Sequence, residues 1–123
     1  MPLSSMNIDR QEARVRHTVF FQFKDDIPKE DIENFFKEMV KLKTEVKVEG
    51  LLSLSYGAHK SDEGLNQGFT HGMTLVFENA TARDVYLPHP EHERVKQIVI
   101  PLLKDGLNSV IAVDWDLQGD NEV

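Results

Sequence analysis

Between Arg14 and Lys24 the side chains alternate in character: Val15, His17, Val19, Phe21 and Phe23 share one face, and Arg16, Thr18, Phe20, Gln22 and Lys24 the other. A period of two predicts a half-buried strand. Asp25-Asp26-Ile27-Pro28 breaks it, and from Pro28 to about Thr44 the apolar residues Ile32, Phe35, Phe36, Met39, Val40 and Leu42 follow helical spacing. Glu30 and Asp31 sit where the helix dipole favours negative charge, and Lys37, Lys41 and Lys43 read as a solvated face. After Gly50 a second strand is expected from Leu51 to His59, then a polar hairpin loop from Lys60 to Gly68. The third strand, Phe69 to Glu78, places His71, Met73, Leu75 and Phe77 on one face, with Thr70, Gly72, Thr74 and Val76 on the other. Asn79-Ala80-Thr81 caps a second helical region that should kink or restart at Pro101 and end at Gly106. Ser109 to Leu117 forms the last strand, with Ile111, Val113 and Trp115 facing away from Val110, Ala112 and Asp114.

The order β-α-β-β-α-β defines an α+β, ferredoxin-like arrangement, with both helical layers on one face of a four-stranded antiparallel sheet. The faces headed by His17 and His71 suit the covered side. The opposite side still carries Phe20, Val76, Ile111, Val113 and Trp115, a larger apolar patch than a monomer usually leaves to water. A second copy packed sheet against sheet covers it, so a homodimer is expected.

At 123 residues the chain is one domain, residues 14–117, between short tails at 1–13 and 118–123. A net charge of −7 argues against sequence-independent binding of nucleic acid. There is no cysteine, hence neither a disulfide nor a thiolate metal site. The N-terminal residues lack the apolar core of a signal peptide, and no apolar run approaches the ~18–20 residues that span a bilayer. A cytoplasmic protein without membrane contact is expected.

Candidate chemistry concentrates in Tyr86-Leu87-Pro88-His89-Pro90-Glu91-His92. Pro90 suits the first position of a helix and pushes His89 toward an extended conformation. His92 then falls in the first turn, and Tyr86, just before the bend, folds back toward it. A phenol and an imidazole so placed can pass a proton near neutral pH. His17 and His71 head otherwise apolar faces, so each either finds a hydrogen-bond partner as a core histidine or reaches a site. They share a pocket only if the first and third strands pair with a stagger. His89 and His92 with His71 could also be weighed as metal ligands, but matching carboxylates are absent and Pro90 turns His89 off the helix face; no metal is expected.

The segments Val15-Arg16-His17-Thr18-Val19-Phe20-Phe21-Gln22-Phe23-Lys24, Gly68-Phe69-Thr70-His71 and Tyr86-x-x-His89-Pro90-x-His92, in this order, resemble the stress-responsive dimeric A/B barrel (Dabb) family over residues 14–117. The resemblance implies a homodimer in which two ferredoxin-like sheets close into a barrel. Family members include a plant polyketide cyclase that needs no metal or organic cofactor; its active-site tyrosine and histidine match Tyr86 and His92, and two pocket histidines match His17 and His71. Met39 stands where that enzyme has an aromatic residue, and Val95-Lys96 where it has Phe-Gly, so the pocket wall differs. The expected site has His92 and Tyr86 as catalytic groups, and His17, His71, Phe21, Phe35, Met39, Met73 and Leu75 around a small hydrophobic ligand. The expected chemistry is cofactor-free acid–base catalysis, of cyclase or isomerase type, on a small apolar carbonyl compound. A non-catalytic ligand-binding protein would use the same residues, whereas in a structural stress protein stable dimerisation is the whole role and the histidines merely satisfy one another.

Overall fold

The computed structural model describes residues 13–119; the expected tails lie almost wholly outside the described residues. The elements are β1 (Val15–Phe21), α1 (Lys29–Thr44), β2 (Leu51–Ala58), β3 (His71–Phe77), α2 (Ala80–Tyr86), α3 (Pro90–Val99), a 3₁₀ turn (Ile100–Leu102), β4 (Lys104–Leu107) and β5 (Val110–Asp116). Four strands form one sheet in the order β2-β3-β1-β5, with every neighbour antiparallel. This is the ferredoxin-like fold. The helices cover one face of the sheet, as the alternation predicts.

Register shows which residues share that covered face. Across β1 and β3, His17 opposes Leu75, Val19 opposes Met73, and Phe21 opposes His71. Across β1 and β5, His17 opposes Asp114 and Val19 opposes Ala112. Phe21, Phe23, Phe35 and Phe36 pack edge to face at centroid distances between 5.5 and 6.4 Å, with Met39, Leu42, Leu75 and Phe77 filling the remaining core. Each fully buried side chain of this size contributes about 1.5–3 kcal/mol. Gly50, at φ +79°, leads into β2 against Ala82 of α2, where any Cβ would collide with the alanine methyl. That contact seats α2 close to the sheet.

Three local expectations are corrected. The second helical region does not run to Gly106: Pro101 stops it, α3 ends at Val99, and after the 3₁₀ turn the chain extends into β4. This segment secures the outgoing end of β1, with Lys24 N–H donating to the Leu102 carbonyl and Lys104 N–H to the Gln22 carbonyl. Val76, expected on the uncovered face, is fully buried there. Its register partner Arg16 lays its side chain along the same face to donate to Thr74 Oγ1 at 3.0 Å. Finally, β1 and β3 pair without the stagger that would bring His17 and His71 together.

Phe20, Ile111, Val113 and Trp115 remain 42–49% exposed on the uncovered face. They all lie on the β1–β5 half. The β3–β2 half of that face carries the small residues Ser53, Ser55, Gly57 and Gly72, with Thr74, and Phe20 leans across Gly72.

Candidate active site

The Tyr86–His92 bend is built by two caps. Asn79 Oδ1 accepts from Ala82 N–H at 2.9 Å and starts α2, which ends on the buried Tyr86. His89, extended ahead of Pro90, turns its Nδ1 to accept from Glu91 N–H at 3.0 Å and starts α3. His89 is therefore a helix cap. On α3 the positions His92, Val95, Lys96 and Val99 fall on one face, as i, i+3, i+4, i+7 spacing requires.

The rings of Tyr86 and His92 meet at 4.3 Å between centroids, and His17 approaches Tyr86 edge-on at 6.1 Å. These three border a cavity of about 260 Å³ between sheet and helices, whose other walls include Val19, Phe21, Phe35, Met39, Met73, Val95 and Val99. His92 Nδ1 lies 2.8 Å from the Leu87 carbonyl. A carbonyl only accepts, so Nδ1 carries the proton, and in the neutral ring Nε2 keeps its lone pair. Burial, reinforced by the charge of Lys96 and by His17 and partly opposed by the Leu87 hydrogen bond, holds the His92 pKa below its usual value. Burial also pushes the Tyr86 phenol well above its usual range. Among the described residues no hydrogen bond is found to the Tyr86 hydroxyl. The two rings thus present a neutral donor and a neutral acceptor.

His17 is buried, and its Nδ1–H donates to Asp114 Oδ1 at 2.6 Å, while Asp114 Oδ2 accepts from Arg83 Nη1 at 2.8 Å. This chain of contacts joins β1, β5 and α2, and it leaves the other nitrogen of His17 to the cavity side.

Two expected members lie elsewhere. Leu75 is fully buried behind the cavity wall, within the core. His71 sits at the far end of β3, packed edge-on to Phe23 at 5.0 Å and stacked near Phe36. Its Nδ1 lies 2.9 Å from Thr70 Oγ1. The same hydroxyl donates to the Phe21 carbonyl and accepts from Phe23 N–H. There His71 is a half-buried histidine whose Nδ1 ties β3 to the end of β1. It borders a second, larger concavity of about 650 Å³ on the uncovered-face side, under the β2–β3 loop with Phe20, Tyr56 and Phe69. Among the described residues no group of three or more His, Cys, Asp or Glu side chains is placed to hold a metal ion.

The residue the strand pattern passed over is Asp114. It continues the covered face of Val110 and Ala112, so it points inward; only the strand order, with β5 beside β1, sets it opposite His17. Arg83 carried no signal, because its role depends on how α2 docks.

With this geometry the comparisons with known proteins become specific. The family model of the stress responsive A/B barrel domain matches residues 15–117, and the chain belongs to that family. It is 28% identical over 108 residues to the stress-response A/B barrel domain-containing protein HS1 of Arabidopsis thaliana, covering 88% of this chain and 94% of that protein. It is also 28% identical over 78 residues to the olivetolic acid cyclase of Cannabis sativa, covering 63% of this chain and 75% of the cyclase. Among solved structures, a dimeric ferredoxin-like protein from Jannaschia sp. CCS1 superposes with a TM-score of 0.71 at 19% identity, over 85% of this chain and 99% of that one, a likeness of fold alone.

Proposed function

We propose that the cavity at Tyr86, His92 and His17 performs cofactor-free acid–base chemistry on a small apolar carbonyl compound. The observation that carries this is the contact of Tyr86 with His92 inside an apolar cavity, with His92 Nδ1 committed to Leu87 and Nε2 free. His92 Nε2 takes a proton from carbon next to the carbonyl. The Tyr86 hydroxyl, which stays protonated, donates to the oxygen as enolate charge develops there. Return of the proton to another atom gives isomerisation; attack of the enolate carbon on a second carbonyl of the same molecule gives ring closure. The similarity to olivetolic acid cyclase supports this class without naming the substrate. A volume of about 260 Å³ lies just under the ~300–1,000 Å³ usual for ligand pockets, which favours a single small ring or a short acyl chain.

The active form we propose is a homodimer through the uncovered sheet face. The dimeric description of the Jannaschia protein supports it, and so does the face itself. Its bulky β1–β5 half and small-residue β3–β2 half are complementary under a two-fold rotation, which sets each against the other.

Tyr86→Phe and His92→Gln test the chemistry. With a panel of enolisable 1,3-dicarbonyl and polyketide-like compounds, wild type should exchange or turn over at least one of them, each variant should lose at least about 100-fold in kcat, and the fold should survive. A wild type that binds such compounds without exchanging their protons would establish the ligand-binding alternative.

A further inference from the structure

Apart from Tyr86, His92 and His17 the cavity lining is apolar except at one edge. Among the described residues that line it, Lys96 is the one permanently charged side chain. It stands one helical turn after His92 on the same face of α3, and its charge is felt by that imidazole. The neighbouring carboxylate, Asp114, is already engaged by Arg83 and His17. Among the described residues the ammonium of Lys96 is held only by Glu93, at 3.0 Å in a pair that is 36% and 51% exposed. Such solvent-screened pairs are weak and exchange readily for a better anion. The result is an apolar hollow with a single exchangeable cation at its rim, about 5–6 Å along the helix from the proton-transfer centre.

We infer that the substrate carries a carboxylate, held by Lys96, on an apolar body that enters the cavity: a small keto acid or acyl acid rather than a neutral ketone. This rests on the proposed use of the cavity and goes further, by assigning the specificity-determining residue. An ammonium at the edge of a desolvated pocket favours a carboxylate over a neutral group of equal shape, because the charged hydrogen bond it forms is stronger than a neutral one. It also fixes orientation, placing the carbon one to three bonds from the carboxylate beside His92.

Calorimetric titration of the full chain with matched pairs, phenylacetate against phenylacetamide and hexanoate against hexanamide, tests the assignment. Each carboxylate should bind about tenfold or more tighter than its amide. Lys96→Met should bring each pair to within about threefold of one another, and Lys96→Arg should keep the preference. Glu93→Gln, which frees the ammonium, should tighten the carboxylates. Equal binding within each pair, or a preference that persists in Lys96→Met, overturns the inference while leaving the cavity as a binding site. If none of the four compounds binds and Tyr86→Phe and His92→Gln are also without effect on any turnover, the proposed use of the cavity falls with it. Lys96 is partly exposed and its ion pair lies at the surface, so the unfolding temperature should be nearly the same in the Lys96 and Glu93 variants.

Discussion

Val113→Glu is the most direct test of the proposed pairing. Val113 lies on the uncovered face of β5, 49% exposed, between Ile111 and Trp115 and opposite Thr18 of β1. In an isolated subunit the new carboxylate points into water, so the cost is limited to strand preference, at most about 1 kcal/mol. In a face-to-face dimer it is buried against aliphatic and aromatic groups without a partner. An uncompensated buried charge costs about 3–5 kcal/mol. The two-fold axis doubles every substitution, so the penalty per dimer is roughly 6–10 kcal/mol, a weakening of about four to seven orders of magnitude. Light scattering after gel filtration should show wild type at twice the monomer mass and Val113→Glu at the monomer mass at ~10 μM, with circular dichroism unchanged. Val113→Ala removes bulk without adding charge and should remain a dimer. A dimeric Val113→Glu would refute the use of this face, as would a wild type that is monomeric under the same conditions.

Two further outcomes concern the site. Asp114→Asn removes the charge that holds His17 and Arg83, and should cost about 1–2 kcal/mol, seen as a fall of roughly 5–10 °C in Tm; in turnover it should lower kcat with little change in KM, whereas Asp84→Asn, which removes only the largely exposed carboxylate beside Arg83, should do neither. The pH dependence follows from His92 and His71, both held below their usual pKa by burial. The unfolded chain then binds more protons than the fold just below about pH 6.5, so stability is fully present above that value and declines as pH falls through the folded pKa values. Thermal unfolding from pH 7.5 to 5 should show this decline, and His92→Gln should flatten part of it; a Tm independent of pH across that range would contradict the burial of both rings.

Much of this architecture was legible because periodicity reports one face at a time. The alternation through Val15–Phe23 and His71–Phe77 gave both covered strands, and the helical spacing from Ile32 to Leu42 gave α1, since each pattern is local. Tyr86 and His92 could be paired because only five residues, two of them prolines, separate them, leaving few ways for the chain to turn. His71 misled for the opposite reason. An inward histidine on β3 has the same pattern as one on β1, but whether the two meet depends on register, which pairs His71 with Phe21 and sets His17 beside Leu75. Asp114 and Arg83 were hidden by the same dependence on tertiary contact. The 3₁₀ turn and β4 escaped because Pro101 marks where a helix must stop but not where the chain goes next.

Burial acts on the two rings of the site in the same sense, although it moves their pKa values in opposite directions: each is held in its uncharged form. An apolar cavity makes the reverse assignment, tyrosinate beside imidazolium, expensive, because both charges would need solvation that the walls of Phe21, Phe35 and Met39 do not provide. If His92 accepts a proton here, the imidazolium charge must therefore be matched at once by a nearby negative charge, and in the proposed chemistry that charge is the enolate held under the Tyr86 hydroxyl. His17, with Nδ1 bound to Asp114, offers its second nitrogen within the same space and carries a carboxylate behind it that offsets positive charge. Once His92 is protonated, the site is thus electrically balanced only while a guest shares its charge. This is why a hydrocarbon of the right shape should fill the cavity without reacting, and why removing either the Tyr86 hydroxyl or the Asp114 carboxylate should depress turnover more than it depresses binding.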